Sequence, residues 1–244
     1  MSAVAVLLAA GKGTRMKSDR AKVLFPLAGK PLLLYVVDAV LAAGCDRTIV
    51  VVGHQADRVR DVLHGRNVDC VVQEPQLGTG HAVMCAAPLL ASVTGSVAVL
   101  AGDAPLIRAD TLRSMLRHHR RAQAAVTLLS AVLPDPSGYG RVVRKEGRVV
   151  GIVEDKEATP EERAIREINS SIYAFDGPFL LRSLPRLGNE NRQREYYLTD
   201  LVHLAFAEGR PVEALPVDDP HEVEGVNTPE QLEETERRLA ERRS

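Results

Sequence analysis

Two glycines and several cations, Arg15 and Lys22 among them, fall close together near the start of this chain. Gly11-Lys12-Gly13-Thr14-Arg15-Met16 follows an apolar run, and Lys22 comes six residues later. Glycines let a backbone approach a phosphate and gather N–H groups around it, while Arg15 and Lys22 can neutralise its charge. A plain tight turn is the competing reading, but a turn needs no cations. The loop is not a dinucleotide fingerprint, because Met16 stands where GxGxxG has its third glycine. Nor is it a P-loop, because no Lys-Ser/Thr pair follows the second glycine. Further on, Gln73 leads into Gln76-Leu77-Gly78-Thr79-Gly80, and Gly102-Asp103 ends another apolar run. Asp103 offers a hard oxygen for a divalent cation, with a helix N-cap as its commoner use. Gln73 can both donate and accept, as a nucleobase edge requires, or it can pair with interior backbone.

The elements that must position these residues follow from the apolar pattern. Residues 3–9 (AVAVLLA) form a continuous apolar run and predict a strand buried on both faces. Pro31 opens a helix with Leu33, Val36, Val37, Val40 and Leu41 on one stripe and Gly44 at its end. Strands are predicted at 48–52, 68–73 and 97–101, with helices at 56–63, 79–87 and 110–120 between and after them. Such alternation gives an α/β chain with a mostly parallel sheet covered on both faces. Beyond residue 124 the pattern changes. Residues 141–153 read as a hairpin around Lys145-Glu146-Gly147, 168–175 as a strand, and 198–206 as an amphipathic helix ended by Gly209. From Thr228, Pro229 and Gln231 complete a capping box for a charged terminal helix anchored by Leu232 and Leu239.

Composition removes several function classes. The chain has 244 residues, 45% hydrophobic and 26% charged, within the usual range of ordered soluble domains. A net charge of −1 provides no broad basic field, so neither nucleic acid nor an anionic membrane is expected as a partner. The basic run Arg117-His118-His119-Arg120-Arg121 spans successive positions around a helix, not one stripe, and reads as a solvated helix end. No apolar run approaches the ~18–20 residues of a spanning helix, and no secretory signal is visible. Cys45, Cys70 and Cys85 lie far apart without a CxxC pair, which suits a reducing cytoplasm. The scattered histidines form no triad.

Nine blocks in order carry a resemblance: LLAAGKGTRM, KVLFPLAGKPLL, QLGTGHAV, LAGDAPLI, DPSGYGRVVR, IVEDKEAT, EINSSIY, EYYLTDLV and GVNTPEQL. Together they resemble the N-acetylglucosamine-1-phosphate uridylyltransferase, or pyrophosphorylase, domain of the bacterial bifunctional GlmU family, over residues 3–232. The glycine loop with its lysine is shared by many sugar-nucleotide pyrophosphorylases; the later blocks are more specific. The resemblance implies a Rossmann-like, mostly parallel mixed sheet of the nucleotide-diphospho-sugar transferase type, with a small β-rich sugar-binding lobe. It divides the chain into a nucleotidyltransferase domain over 1–227 and a charged helix over 228–244. Within the domain, the nucleotide part covers about 1–110 and the sugar part about 111–227. No hexapeptide repeat is present, and so no acetyltransferase β-helix domain.

The implied activity is Mg²⁺-dependent conversion of UTP and N-acetylglucosamine 1-phosphate to UDP-N-acetylglucosamine and pyrophosphate, which supplies peptidoglycan and lipopolysaccharide precursors. By the same resemblance, Leu8, Ala9, Ala10, Gly11, Gly13 and Lys22 hold the nucleotide, and Arg15 faces its triphosphate. Gln73, Gly78 and Thr79 lie on the uracil side, with Gly102 beside them. Asp103 and Asn227 share the Mg²⁺. Gly140, Glu154 and Asn169 hold the sugar, with Asn227 beside it. Arg15, Lys22 and Asp103 are the implied catalytic groups. The chain departs from the family at Ala101, where the family usually has Tyr, and at Ser170-Ser171, where it usually reads Thr-Gly. A Cβ and hydroxyl at position 171 would narrow the pocket there. The competing readings are a related transferase using another nucleotide or sugar phosphate, and a non-catalytic nucleotide-sugar binder. No oligomeric state is implied.

Overall fold

In the computed structural model, which describes residues 3–242, the run AVAVLLA forms β1 (Ala3–Ala9), and all but one of its residues are buried. A short antiparallel ribbon, β2 (Pro26–Leu27) and β3 (Lys30–Pro31), precedes α1 (Leu32–Ala43). Helix α1 ends on Gly44 at φ 84°, where the left-handed conformation suits glycine. The expected alternation then appears: β4 (Arg47–Val52), α2 (Ala56–Leu63), β5 (Asp69–Val72), α3 (Thr79–Leu90), β6 (Ser96–Ala101) and α4 (Ala109–Arg121). Helix α3 runs beyond its predicted end near Ala87 and through Pro88, because Leu90 is fully buried and its burial outweighs the lost backbone bond.

The second half contains β7 (Val126–Val132), the hairpin β8 (Gly140–Lys145) and β9 (Arg148–Val153), and the single-turn α5 (Pro160–Arg163). Both Glu146 (φ 51°) and Gly147 (φ 78°) have positive φ at the hairpin turn, as a type I′ turn requires. After these come β10 (Glu167–Asp176), α6 (Gly177–Ser183), α7 (Asp200–Ala207), β11 (Val212–Pro216) and α8 (Pro229–Glu241). Strands β2, β3, β7 and β11 and helices α5 and α6 are additions to the sequence reading.

One sheet runs in the order β11-β7-β10-β6-β1-β4-β5. β4 and β6 flank β1 in parallel and β5 continues alongside β4, while β10 lies antiparallel between β6 and β7. A bulge in β10 between Asn169 and Tyr173 divides its partners. Beyond the bulge β10 pairs with β6, and before it with β8 at Ile168 and Asn169. The sheet therefore forks beside the carboxyl end of β6. Alternate residues of β1 enter two cores: Ala5 and Leu7 face α1, α2 and α4, whereas Val4 and Val6 face α3, α6 and α7. A third, smaller cluster of Met16, Leu27, Leu32 and Val226 receives Leu232 and Leu239 of α8. The terminal helix thus has the two predicted apolar anchors, and its remaining face is largely charged and exposed. Among the described residues, no helix is long and apolar enough to cross a membrane.

Candidate active site

Strands β1, β4, β5 and β6 are parallel, so their carboxyl ends open on one edge, where open α/β sheets bind ligands. A cleft of about 390 Å³ lies there. Leu8 lines it from β1, Ala10, Gly11 and Lys22 from the segment that follows, Gln73, Gly78 and Thr79 from the region after β5, and Asp103 from just beyond β6. The other residues assigned to the nucleotide stand behind this surface. Ala9 is buried in the core, the Gly102 N–H donates to the Leu8 carbonyl at 2.9 Å, and Gly13 packs on Lys22.

Gly13 has φ 68°, and a Cβ there would sit 2.6 Å from the Lys22 Cβ. Glycine is needed both for the backbone turn and for the close approach of Lys22. The segment before Lys22 is moored from the β4–α2 loop, where Gln55 accepts from the Ala21 N–H at 3.1 Å and donates to the Asp19 carbonyl at 2.9 Å. So held, the Lys22 ammonium forms an ion pair with Asp103 and donates to Asn227 Oδ1 at 2.9 Å. Arg15 Nη2 donates to the same oxygen at 2.8 Å. Four of the charged or polar groups picked out in the sequence therefore meet, although 212 residues separate Arg15 from Asn227.

Asp103 is only 6% exposed and does not cap α4, whose N-cap is Arg108 without a side-chain bond. Its main-chain carbonyl accepts from the Val226 N–H at 2.9 Å, which brings the 225–227 segment against the end of β6. The Asp103 carboxylate and Asn227 Oδ1 already converge on one cation, the Lys22 ammonium. One anionic and one neutral hard oxygen beside the cleft fit a divalent ion that completes its shell with phosphates and water. Among the described residues no three His, Cys, Asp or Glu side chains gather into a metal cage.

On the opposite wall, Gln73 is buried and its Nε2 donates to the Gly78 carbonyl at 2.9 Å and meets His81 Nδ1 at 3.2 Å. Its nitrogen is thus used internally, as the interior reading expected, and the carbonyl end of the amide is the half left for a ligand donor. The loop after Gln73 is fastened to the 195–198 segment, which the sequence reading did not assign to the site. Tyr196 N–H donates to Leu77 O at 2.8 Å, Gly80 N–H to Tyr196 O at 2.7 Å, and Leu198 N–H to Thr79 Oγ1 at 3.0 Å. Gly78, at φ 102°, has no room for a side chain, because a Cβ would lie 2.7 Å from the Tyr196 carbonyl. Glu195 of the same segment lines the cleft together with Lys12 and Gln76. Nothing local marks Glu195 as a site residue; only the pairing with the Gly78 loop brings it there.

The sugar-assigned residues form a second group. Gly140 pairs with Asn169 across β8 and β10, and Glu154 Oε2 lies 3.6 Å from where a Gly140 side chain would begin. Glu154 accepts from the Thr199 hydroxyl at 2.9 Å; burial raises its pKa, partly opposed by that bond. Asn169 is only 3% exposed and its amide is engaged inside the β10 bulge, donating to the Tyr173 hydroxyl at 2.7 Å and accepting from the Ser171 N–H at 3.2 Å. Glu154 borders an adjoining hollow with Arg15 and Glu195, and Glu195 also lines the main cleft, so the two groups share a wall. Ser171 lines the main cleft beside Ala101, not the Gly140 group, with φ 61° at the bulge. The basic run on α4 is solvated only in part: Arg117 and Arg121 are exposed as expected for a helix end, but His119 turns into the core. His119 is buried against Thr127 Oγ1 at 2.9 Å, and His118 faces Glu213 at 3.3 Å.

Residues 5–151 match the MobA-like NTP transferase domain. The bifunctional protein GlmU of Geobacter metallireducens is 52% identical over 96% of this chain and 49% of its own length. That of Brevibacillus brevis is 50% identical over 95% of this chain and 50% of its own. The chain spans about half the length of the curated relatives it matches. Among solved structures, apo UDP-glucose pyrophosphorylase matches with a TM-score of 0.78 at 19% identity, covering 100% of both chains. A nucleotidyl transferase from Methanothermobacter thermautotroptrophicus matches with a TM-score of 0.69 at 24% identity, covering 99% of both. These two structures share the fold: a mostly parallel mixed sheet flanked by helices.

Proposed function

This chain belongs to the MobA-like NTP transferase domain family and is a nucleotidyltransferase, and from that premise we propose that it joins UTP to N-acetylglucosamine 1-phosphate. The products are UDP-N-acetylglucosamine and pyrophosphate, precursors and by-product of cell-wall polysaccharide supply. The observation that carries the reading is the convergence of Arg15, Lys22, Asp103 and Asn227 at the carboxyl edge of the sheet. Similarity to GlmU over nearly the whole chain supports the choice of substrates.

A sugar phosphate oxygen attacks the α-phosphorus of UTP in line; the new P–O bond forms as the bond to the β-phosphate oxygen breaks. Two anions must first be brought together. At ~4 Å and an effective dielectric near 20, each like-charge pair opposes contact by about 4 kcal/mol. Lys22 and Arg15 supply fixed positive charge against this repulsion, and their bonds to Asn227 and the close packing of Gly13 on Lys22 keep them aimed. Family members generally use a divalent metal, and here Asp103 and Asn227 would hold Mg²⁺, whose charge further neutralises the phosphates. The attacking phosphate is already a nucleophile, so no side chain needs activation.

On the nucleotide side, the first loop with Leu8, Ala10 and Gly11 takes the triphosphate, and the carbonyl of Gln73 receives a uracil N–H, beside Gly78 and Thr79. Gly140, Glu154 and Asn169, with Asn227 near them, take the sugar. In this reading the nucleotide part covers about 1–110, the sugar part with its β8–β9 lobe about 111–227, and a charged segment from 228 follows, whose helix is α8 (Pro229–Glu241) and whose last two residues lie outside the described ones. The test is a matrix of nucleoside triphosphates against sugar 1-phosphates, scored by pyrophosphate release. UTP with N-acetylglucosamine 1-phosphate is expected to turn over fastest. A faster pair would reject the substrate choice, and no release with any pair would favour a nucleotide-sugar binder.

A further inference from the structure

We infer that Gln231, in the first turn of α8, is a positioning residue that fixes Asn227 for cation and phosphate binding, an inference that rests on the role proposed above for Asn227. A Gln three residues after a Thr cap is expected to reach back to the N–H of the cap itself. Thr228 does cap α8, accepting from the Gln231 N–H at 3.3 Å. The Gln231 side chain, however, passes over Thr228, and its Oε1 accepts from the Asn227 N–H at 2.8 Å. Asn227 Nδ2 donates to the Gly225 carbonyl at 2.9 Å, which sets the plane of the amide. With its backbone and amide nitrogen both tied, Asn227 directs Oδ1 at Arg15 and Lys22.

The helix that carries Gln231 is itself anchored to the elements that carry the two cations. Leu232 and Leu239 pack on the cluster of Met16, Leu27 and Leu32, and Met16 directly follows Arg15. Glu236 Oε1 accepts from the Ala28 N–H at 3.1 Å, and Arg242 donates to the Leu106 carbonyl at 2.8 Å. Gln231 is exposed and lines no part of the cleft, so it acts through Asn227 and not on substrate. A side chain serving only as a helix cap would have closed on Thr228.

The test compares Gln231→Leu, Gln231→Glu and Asn227→Ala in the full chain. Free Mn²⁺ is counted by electron paramagnetic resonance in the presence of UTP, alongside kcat, KM for the sugar phosphate, and metal-free Tm. Loss of one hydrogen bond predicts that Gln231→Leu weakens Mn²⁺ about five- to tenfold and lowers kcat by a similar factor. Tm falls by no more than about 5 °C, as the loss of about 1 kcal/mol implies for a chain of this size. Gln231→Glu keeps the acceptor and restores Mn²⁺ affinity to within about twofold of the parent, since a carboxylate accepts from the same N–H. Unchanged Mn²⁺ affinity in Gln231→Leu, a fall in Tm alone, or failure of Gln231→Glu to restore binding overturns the positioning role. If only Asn227→Ala loses Mn²⁺, that role is wrong while the metal reading stands. If Asn227→Ala binds Mn²⁺ like the parent, the metal reading fails and the positioning role with it.

Discussion

Replacing Gly13 by alanine tests how the glycine loop serves the site. Two costs can be worked from the geometry. At φ 68° and ψ 42° an alanine sits in the left-handed region, at about 1–2 kcal/mol. For a chain of this size that lowers Tm by about 2–8 °C. In addition, the new Cβ would lie 2.6 Å from the Lys22 Cβ and 3.3 Å from its Cα. Ordinary carbon contacts lie at ~3.5–4.0 Å, so Lys22 must retreat by about 1 Å. Because part of the Lys22 contact is backbone, the side chain cannot simply swing aside. An ammonium displaced by that distance loses its aim on Asp103 and Asn227, and a misplacement of ~1 Å in a positioned group can cost about 10²-fold in rate. Pyrophosphate release should therefore fall by about that factor, mostly in kcat. Gly188→Ala, at a glycine with ordinary φ and open space around it, serves as the matched control. If Gly13→Ala lowered Tm as expected but kept kcat/KM within about threefold, the link between Lys22 placement and phosphate chemistry would be refuted.

Three further outcomes follow from single groups. Asp103→Ala should cut turnover at least about a hundredfold while circular dichroism reports an intact fold, since it removes the carboxylate paired with Lys22; a near-normal rate in excess Mg²⁺ would discard the metal assignment. Burial raises the Glu154 pKa above its ordinary 4.5, so the folded chain binds the proton more tightly than the unfolded chain, and stability declines as pH rises through the folded value. Glu154→Gln should accordingly raise Tm at neutral pH and lose that advantage below pH 4.5, as a pH series of thermal melts would register; it should also raise KM for the sugar phosphate. Burial depresses His119 from 6.5 to about 4, so the unfolded chain takes up a proton that the folded chain resists, and stability falls as pH drops through that window. His119→Gln should flatten this part of the Tm profile without moving the rate profile; a shift in the rate profile would place His119 in the chemistry.

What the amino-acid order determined by itself was local. Continuous apolar runs make buried strands wherever they occur, so β1, β4 and β6 were legible, and so was the hairpin at Glu146-Gly147, whose turn depends on its own residues. The same holds for the loop with Arg15 and Lys22, because phosphate-binding chemistry needs glycines and cations close together. Strand β7 is not legible although its run VTLLSAV is mostly apolar, because Thr127 and Ser130 break the pattern; both are buried, with bonds to His119 and Glu167. The sequence alone ends α3 near Ala87, because no local rule weighs the burial of Leu90. Long-range placement came from the family likeness or from the tertiary structure alone. The fork of the sheet at the β10 bulge, the seating of Tyr196 against the Gly78 loop and the reach of Gln231 past its own cap have no signature in spacing. The first two join segments far apart in the chain, and the third depends on Val226 being held against Asp103, so their partners are selected by packing, hydrogen bonding and charge only once the sheet has formed.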